Sequence, residues 1–211
     1  MLDEVSKMKW KFKTSKKDTN HPFLNLYVVE YEVTKDDGSI RPDFPYFVAS
    51  RNQKDEELRI NKQDFKRADA VLVGAYTIKD GQLFLLLERQ FRPALNHDVI
   101  SFPAGLCDKE DKDITTAALR ELKEETGYTA TDFEMIVPPS PTSEGLSDEC
   151  NAVVICRLLS QGKDNKEEFE DISAKLYSVE EIKALLAEEN VIFSNSARLL
   201  VLYLLERFKN N

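Results

Sequence analysis

The stretch "ITTAALRELKEETG", Ile114 to Gly127, most narrows the folds open to this chain. It reads as one helix, Ile114 to Thr126, set among strand-type runs, with Gly127 as its left-handed stop. At about 100° per residue from Glu121, Glu125 falls near 40° and Glu124 near 300°. Ala117, Ala118, Ile114 and Leu122 overlap or flank that arc, while Lys123 and Thr116 lie opposite. Three carboxylates therefore stand on or beside the face that should meet a core. At about 5 Å and an effective dielectric of about 20, each like pair costs roughly 3 kcal/mol. Protonation or a cation would relieve this, and carboxylate oxygens suit hard divalent ions. Arg120, four residues before Glu124, is placed to hydrogen-bond or orient a carboxylate. Taken alone, "RELKEE" also reads as a solvated surface helix laced by i,i+4 pairs.

The flanking sequence gives that helix its setting. "NLYVVEYEVT" (Asn25 to Thr34) alternates as a strand, "KDDGSIRP" turns at Gly38, and "YFVASR" (Tyr46 to Arg51) returns. Residues 1–62 thus read as a small antiparallel β unit ahead of a second domain, 63–211. "AVLVGAYTI" and "LFLLLERQF" form a hairpin across "KDGQ". "VISFPAG" reads as a short strand ending in a loop. "DFEMIV", "CNAVVICRLL" and "EEFEDISAKLY" supply three more strands. "SVEEIKALLAEE" opens on a capping box, Ser178 with Glu181, and "SNSARLLVLYLLERF" closes the chain as a helix. Strands around one helix, with helices at the end, predict an α/β (α+β) sandwich.

Composition removes several chemistries. A net charge of −9 argues against a general nucleic-acid binder. A small anionic substrate would need local arginines or divalent metal. Three cysteines without a close-spaced pair argue against a disulfide framework or a cysteine zinc site, and two histidines leave zinc or Ser-His-Asp chemistry short of parts. Cys107 and Cys156 sit among apolar residues and read as small buried side chains. No apolar run approaches about 20 residues, and the N-terminus lacks an apolar signal core, so no membrane span and a cytoplasmic location are expected.

Gly105 followed by Arg120-Glu121-Leu122, Glu124-Glu125 and Gly127-Tyr128 resembles the Nudix box. That pattern is Gly, five residues, Glu, seven residues, Arg-Glu-apolar-any-Glu-Glu-any-Gly-apolar. "FPAG" before it and "ERQFRP" upstream resemble the ADP-ribose pyrophosphatase branch. The chain carries one residue more than the pattern, taken here as an insertion after Gly105. Counted back from Arg120, the first Glu is then replaced by Lys112, with Glu110, Asp111 and Asp113 around it as substitutes. Two further departures bear on substrate: Glu144 in "SPTSEGLSDE", where such relatives carry Pro, and Ser101 in "ISFPAG", where they often carry Glu.

The resemblance implies a Nudix α/β/α sandwich with a mixed sheet, and a homodimer formed with help from the N-terminal unit. It implies hydrolysis of a nucleoside diphosphate linked to another moiety. ADP-ribose, split to AMP and ribose 5-phosphate, is the leading substrate. A GDP-sugar or another nucleotide sugar, and a silent nucleotide sensor, are the alternatives. Glu121, Glu124, Glu125 and the Ala104 carbonyl would hold Mg²⁺, with Mn²⁺ able to substitute. Two or three such ions would bridge the diphosphate and lower the pKa of a water. Glu125 and Arg120 are assigned to catalysis, with Glu168 of "NKEEFEDI" as general base ahead of its neighbours Glu167 and Glu170. Arg92, Arg89 and Arg51 are assigned to phosphate or ribose. Tyr46, with Trp10, Phe44 and Phe47, is a candidate for base stacking.

Overall fold

In the computed structural model, residues 8–163 and 171–209 are described. Their contacts divide the chain into two compact units, Met1–Arg67 with Pro141–Cys150, and Ala68–Ser140 with Asn151–Asn211. The first unit thus recruits a distant segment that hydrophobic patterning gave no reason to group with it.

The first unit is a three-stranded antiparallel sheet in the order β1 (Lys9–Lys17), β2 (Asn25–Thr34) and β3 (Ile40–Ser50). Gly38, at φ +80°, makes the β2–β3 turn. Alternation on β2 puts Tyr27, Val29 and Val33 on the buried face. Leu58 is buried too, next to the short helix α1 (Arg59–Lys62). The Pro141–Cys150 segment adds to this unit by a parallel bridge between Ala49 and Ser147. The Ala49 amide donates to the Leu146 carbonyl at 2.8 Å. Arg59 is only 9% exposed, its Nε donating to the Asp148 carbonyl at 2.7 Å and its Nη2 to that of Arg67 at 2.9 Å.

The second unit is built on a seven-stranded mixed sheet. Its main path runs β10 (Ile172–Ser178), β5 (Gln82–Arg92), β4 (Ala70–Lys79), β9 (Cys150–Gln161) and β8 (Tyr128–Pro141). β6 (His97–Ser101) pairs with β5, and β7 (Ala104–Leu106) pairs with β4. β4 and β9 are parallel. The expected single strand "VISFPAG" is therefore two strands with different partners, separated by the buried Phe102.

Period-two alternation sorts the side chains into two layers. Val71, Val73 and Ala75 of β4 join Ala117, Ala118 and Leu122 of α2 (Ile114–Thr126). On the opposite face, Leu72 joins Ile182 of α3 (Val179–Ala187) and Leu200, Val201 and Leu204 of α4 (Asn195–Arg207). The unit is an α/β/α sandwich with a mixed sheet. Gly74 makes room for α4: a Cβ there would lie 3.0 Å from both Ile155 Cγ2 and Leu200 Cδ2. Ser178 caps α3 in the expected capping box with Glu181.

Candidate active site

Helix α2 is fixed at both ends by its own sequence. Asp113 caps the start, accepting from the Thr116 amide at 2.8 Å. Gly127 ends it at φ +72°, its amide donating to the Lys123 carbonyl. Ala117, Ala118 and Leu122 are fully buried under the sheet, which sets the helix's rotation. That rotation turns Glu125 inward to 6% exposure and Glu121 to 13% side-chain exposure, and leaves Glu124 at 46%.

The "FPAGL" segment faces these carboxylates and is anchored to β4. Val73 donates to the Pro103 carbonyl, and Val71 and Leu72 stand in register with Gly105 and Ala104. The Ala104 amide donates to Glu125 Oε2 at 3.1 Å. At Gly105 the Glu121 carboxylate lies directly against the Cα, and a Cβ would overlap its Cδ and both oxygens. Only glycine lets that carboxylate rest on the strand.

Arg120 links the parts. Its Nη1 donates to Glu121 Oε1 at 2.8 Å and to Glu124 Oε2 at 3.1 Å. Its Nη2 donates to the Leu106 carbonyl at 2.8 Å and to Asp111 Oδ2 at 2.9 Å, and its Nε reaches Asp111 Oδ1 at 3.3 Å. Asp111 has a side-chain exposure of 6%. The Arg120 guanidinium holds the Asp111 carboxyl below the usual range, and Asp111 in turn raises the arginine pKa. Burial pushes the Glu121 carboxyl up, Arg120 pulls it back, and Glu124 and Asp108 add to the rise. Burial is the largest of these causes, and the like charge of Glu124 adds only a smaller part.

Asp111 corrects the register read from the sequence. The acid that grips Arg120 stands six residues after Gly105, and Lys112 does not occupy its place. The extra residue falls between Asp111 and Arg120 rather than just after Gly105. Asp111 is one of the three acids around Lys112 that the sequence offered as substitutes, and it is the one that pairs with Arg120. Sequence reasoning also passed over Glu88. This carboxylate is 3% exposed in the apolar run of β5, on the same sheet face as Leu86, which packs in the α2 layer. An acid inside "LFLLLERQF" was the available signal.

The other candidates are dispersed. Arg89 ion-pairs with Asp98 across the β5–β6 pair. Arg92 is exposed at the end of β5, opposite His97. In the first unit, Arg51 Nε donates to Glu149 Oε2 at 3.1 Å, and Tyr46 Oη donates to the Gly145 carbonyl at 2.9 Å. Trp10 packs edge-on against Tyr31 and Phe44, at centroid distances of 5.5 and 5.1 Å, while Phe47 is 60% exposed. Ser101 meets Ser194, its Oγ 3.3 Å from that of Ser194. Glu167, Glu168 and Glu170 lie outside the described residues.

Among the described residues, no three His, Cys, Asp or Glu side chains already converge as a metal cage. Glu121 and Glu124 are both turned to one nitrogen of Arg120. The donor set nevertheless fits a hard divalent ion: three carboxylates at i, i+3 and i+4, one of them seated in a cradle that a Cβ would fill. Cys156 is buried, as expected, while Cys107 is only half-buried; burial pushes their thiols up to about 12 and about 11.

Comparison with known proteins adds to this geometry. The family model of the NUDIX domain matches residues 66–196, more than half of the chain. An ADP-ribose pyrophosphatase of Bacillus subtilis is 34% identical over 140 residues, covering 66% of this chain and 73% of that protein. An ADP-ribose pyrophosphatase of Saccharomyces cerevisiae is 50% identical over 74 residues, 33% of this chain and 30% of that protein. A nudix hydrolase of Caenorhabditis elegans is 30% identical over 127 residues, 60% of this chain and 55% of that protein. Against these last two, the chain spans about a third and just over half of the relative's length. The crystal structure of an ADP compounds hydrolase shares the fold, with a TM-score of 0.65 at 18% identity, covering 97% of this chain and 98% of the other.

Proposed function

The chain belongs to the Nudix family, and from that premise we propose that it hydrolyses the diphosphate bond of a nucleoside diphosphate sugar, ADP-ribose first, to AMP and ribose 5-phosphate. The carrying observation is the α2–β7 arrangement. It holds Glu121 on Gly105, Glu125 on the Ala104 amide, and Glu124 on Arg120. The two ADP-ribose pyrophosphatases among its relatives support the choice of ADP-ribose.

Glu121, Glu124 and Glu125, with the Ala104 carbonyl, would hold the divalent ion, Mg²⁺ in this reading, with Mn²⁺ as a substitute. When bound, such an ion neutralises diphosphate charge and makes a water a competent nucleophile near neutral pH. Arg120 keeps two carboxylates aligned in its absence and stays tied to Asp111 and Leu106. Arg92, exposed at the end of β5, is the proposed contact to an anionic substrate in a chain of net charge −9, with Arg89, held by Asp98, as a second candidate beside it. Glu168 is the proposed general base, and Arg51 and Tyr46 the proposed contacts to the rest of the substrate. A homodimer is proposed, supported by the exposed Trp10, Phe23 and Phe47 of the first unit. The proposed location is cytoplasmic; no helix among the described residues is long and apolar enough to cross a membrane.

The test is ³¹P NMR of ADP-ribose with the purified chain, with and without Mg²⁺. Metal-dependent loss of the diphosphate signals, with two monoester signals appearing, is expected. No turnover of ADP-ribose, with turnover of a GDP- or UDP-sugar in the same tube, would move the substrate. No turnover of any would overturn the hydrolytic reading.

A further inference from the structure

Strand β5 buries an acid that has no part in the hydrolysis proposed above. Glu88 is 3% exposed, and its place on the sheet is fixed from both sides. On β10 it stands opposite Ala174, and on β6 opposite the buried Ser101. Ala174 packs with the α2 layer, as does Leu86, two residues before Glu88 on the same face. Glu88 therefore points to the side of the sheet that α2 covers.

The three α2 carboxylates lie on that side too. Opposed residues on paired strands have Cβ atoms about 4.5–5.5 Å apart. Three extended residues span at most about 11 Å. One cross-strand step takes Glu88 to Ser101, and three residues more reach Ala104, whose amide meets Glu125. By whole-residue exposure, Glu88 and Glu125 are the buried acids among the described residues. An ionised carboxylate taken out of water is strongly unfavourable unless opposite charge meets it. The cross-strand neighbours of Glu88, an alanine and a serine, carry no charge. Among the buried residues of α2, the ionisable one is Glu125, an acid again. A cation between helix and sheet answers both carboxylates at once.

We propose that Glu88 is a further acid of the divalent-ion site, adding charge from the sheet to the three carboxylates on α2. This role depends on Glu121, Glu124 and Glu125 holding the ion, as in the function proposed above. Glu88 is a positioning residue: it acts on the ion and touches no substrate atom. Its pairing also gives a departure in the sequence a chemical sense. Ser101 is where "ISFPAG" lacks the Glu that its relatives often carry, and Glu88 is the residue set against it on the next strand. The carboxylate stands one strand over, on the same face.

The test is binding of Mn²⁺ and Mg²⁺ to the full chain without substrate. Free Mn²⁺ is read by its electron paramagnetic resonance signal, and Mg²⁺ by the rise it causes in Tm. Glu88→Gln keeps the size of the side chain and removes its charge. It should weaken Mn²⁺ binding by roughly 10–100-fold, as loss of a partner outside the ligand set does. It should also raise the Tm of the metal-free chain, since a buried charge is gone, and shrink the rise caused by Mg²⁺. A purely structural Glu88 predicts the reverse, a lower metal-free Tm with an unchanged Mg²⁺ rise, and that result would overturn the proposal. Adding Ser101→Glu to Glu88→Gln should restore Mn²⁺ affinity; no recovery would overturn the placement of the charge over the β5–β6 pair. Unchanged Mn²⁺ affinity in Glu88→Gln would overturn the role of Glu88 and leave the three α2 carboxylates as the ion site. No Mn²⁺ binding by the parent chain would overturn both.

Discussion

Replacing Gly105 by alanine separates the site's chemistry from its fold. Gly105 does not sit in the left-handed backbone region, so alanine can adopt its conformation. The three atoms nearest the new methyl all belong to the Glu121 carboxylate, the far end of a flexible side chain. Glu121 must therefore swing off β7. It would give up a charge-assisted hydrogen bond to Arg120, of a kind worth about 1.5–3 kcal/mol. Rehydration offsets part of this, because burial already disfavours the ionised Glu121. A net loss of about 1–2 kcal/mol corresponds to a fall in Tm of roughly 2–8 °C for a chain of this size. Activity should respond far more steeply, since a displacement of about 1 Å at a reacting centre costs on the order of 100-fold. That is about 2.7 kcal/mol of transition-state stabilisation. The assay pairs a thermal melt with kcat/KM for ADP-ribose at saturating Mg²⁺, with Glu121→Gln as reference. Activity within about threefold of the parent would refute the claim that the glycine exists to seat Glu121. A melt lowered by more than about 15 °C would mean that Gly105 serves the fold instead.

Asp111→Asn should weaken Mg²⁺ dependence by roughly 10–100-fold, as loss of an outer-shell partner does, while Lys112→Ala leaves it unchanged; Mg²⁺ titrations of hydrolysis distinguish the two. Glu125→Gln keeps an acceptor for the Ala104 amide, so it should fold normally and lose activity by orders of magnitude, read by circular dichroism and ³¹P NMR. Glu181 is held down at about 2, against an ordinary 4.5, by Lys175 first and then by the Ser178 amide and hydroxyl. A depressed carboxyl stabilises the fold above its unfolded pKa and loses that contribution as pH falls from about 4.5 toward 2. Urea unfolding across that window should steepen in the parent and flatten in Glu181→Gln. Cys107 and Cys156, raised to about 11 and about 12, should resist a thiol reagent at about pH 8 until the chain is unfolded.

What the sequence made legible was local and periodic. The bounds of α2, the alternation of β2 and the capping box at Ser178 each depend on neighbours within a few residues, and the structure has them. What it hid depends on distant partners. "KWKFKTSKK" forms β1 although most of its residues are exposed, because it pairs with β2 rather than covering a core. The "VISFPAG" run is apolar apart from Ser101, so nothing in its pattern says that its first half pairs with β5 and its second with β4. The attachment of Pro141–Cys150 to the first unit rests on Arg59 and on the Ala49 bridge, nearly a hundred residues away.

The misplaced insertion in the box has the same origin. Gly105 is fixed by the β4 ladder and Arg120 by the helix face that buries Ala117 and Leu122. Between those anchors the chain is a loop, free to take up an extra residue wherever its turn allows. The turn closes over Asp108–Asp111, whose backbone and side chain bond to each other in both directions. Asp113 is claimed by the helix N-cap. An arginine already holding two glutamates still has a face open toward the loop, and the turn delivers Asp111 to it. A pattern counted in residues is only a proxy for this meeting of side chains. The meeting is the constraint that selection on the site would act on, so a second insertion between Asp111 and Asp113 should be tolerated. One between Gly105 and Asp111 should cost activity to the same degree as Asp111→Asn. Equal tolerance at both places, measured by kcat/KM, would mean that Asp111 is not what holds Arg120 in its working position.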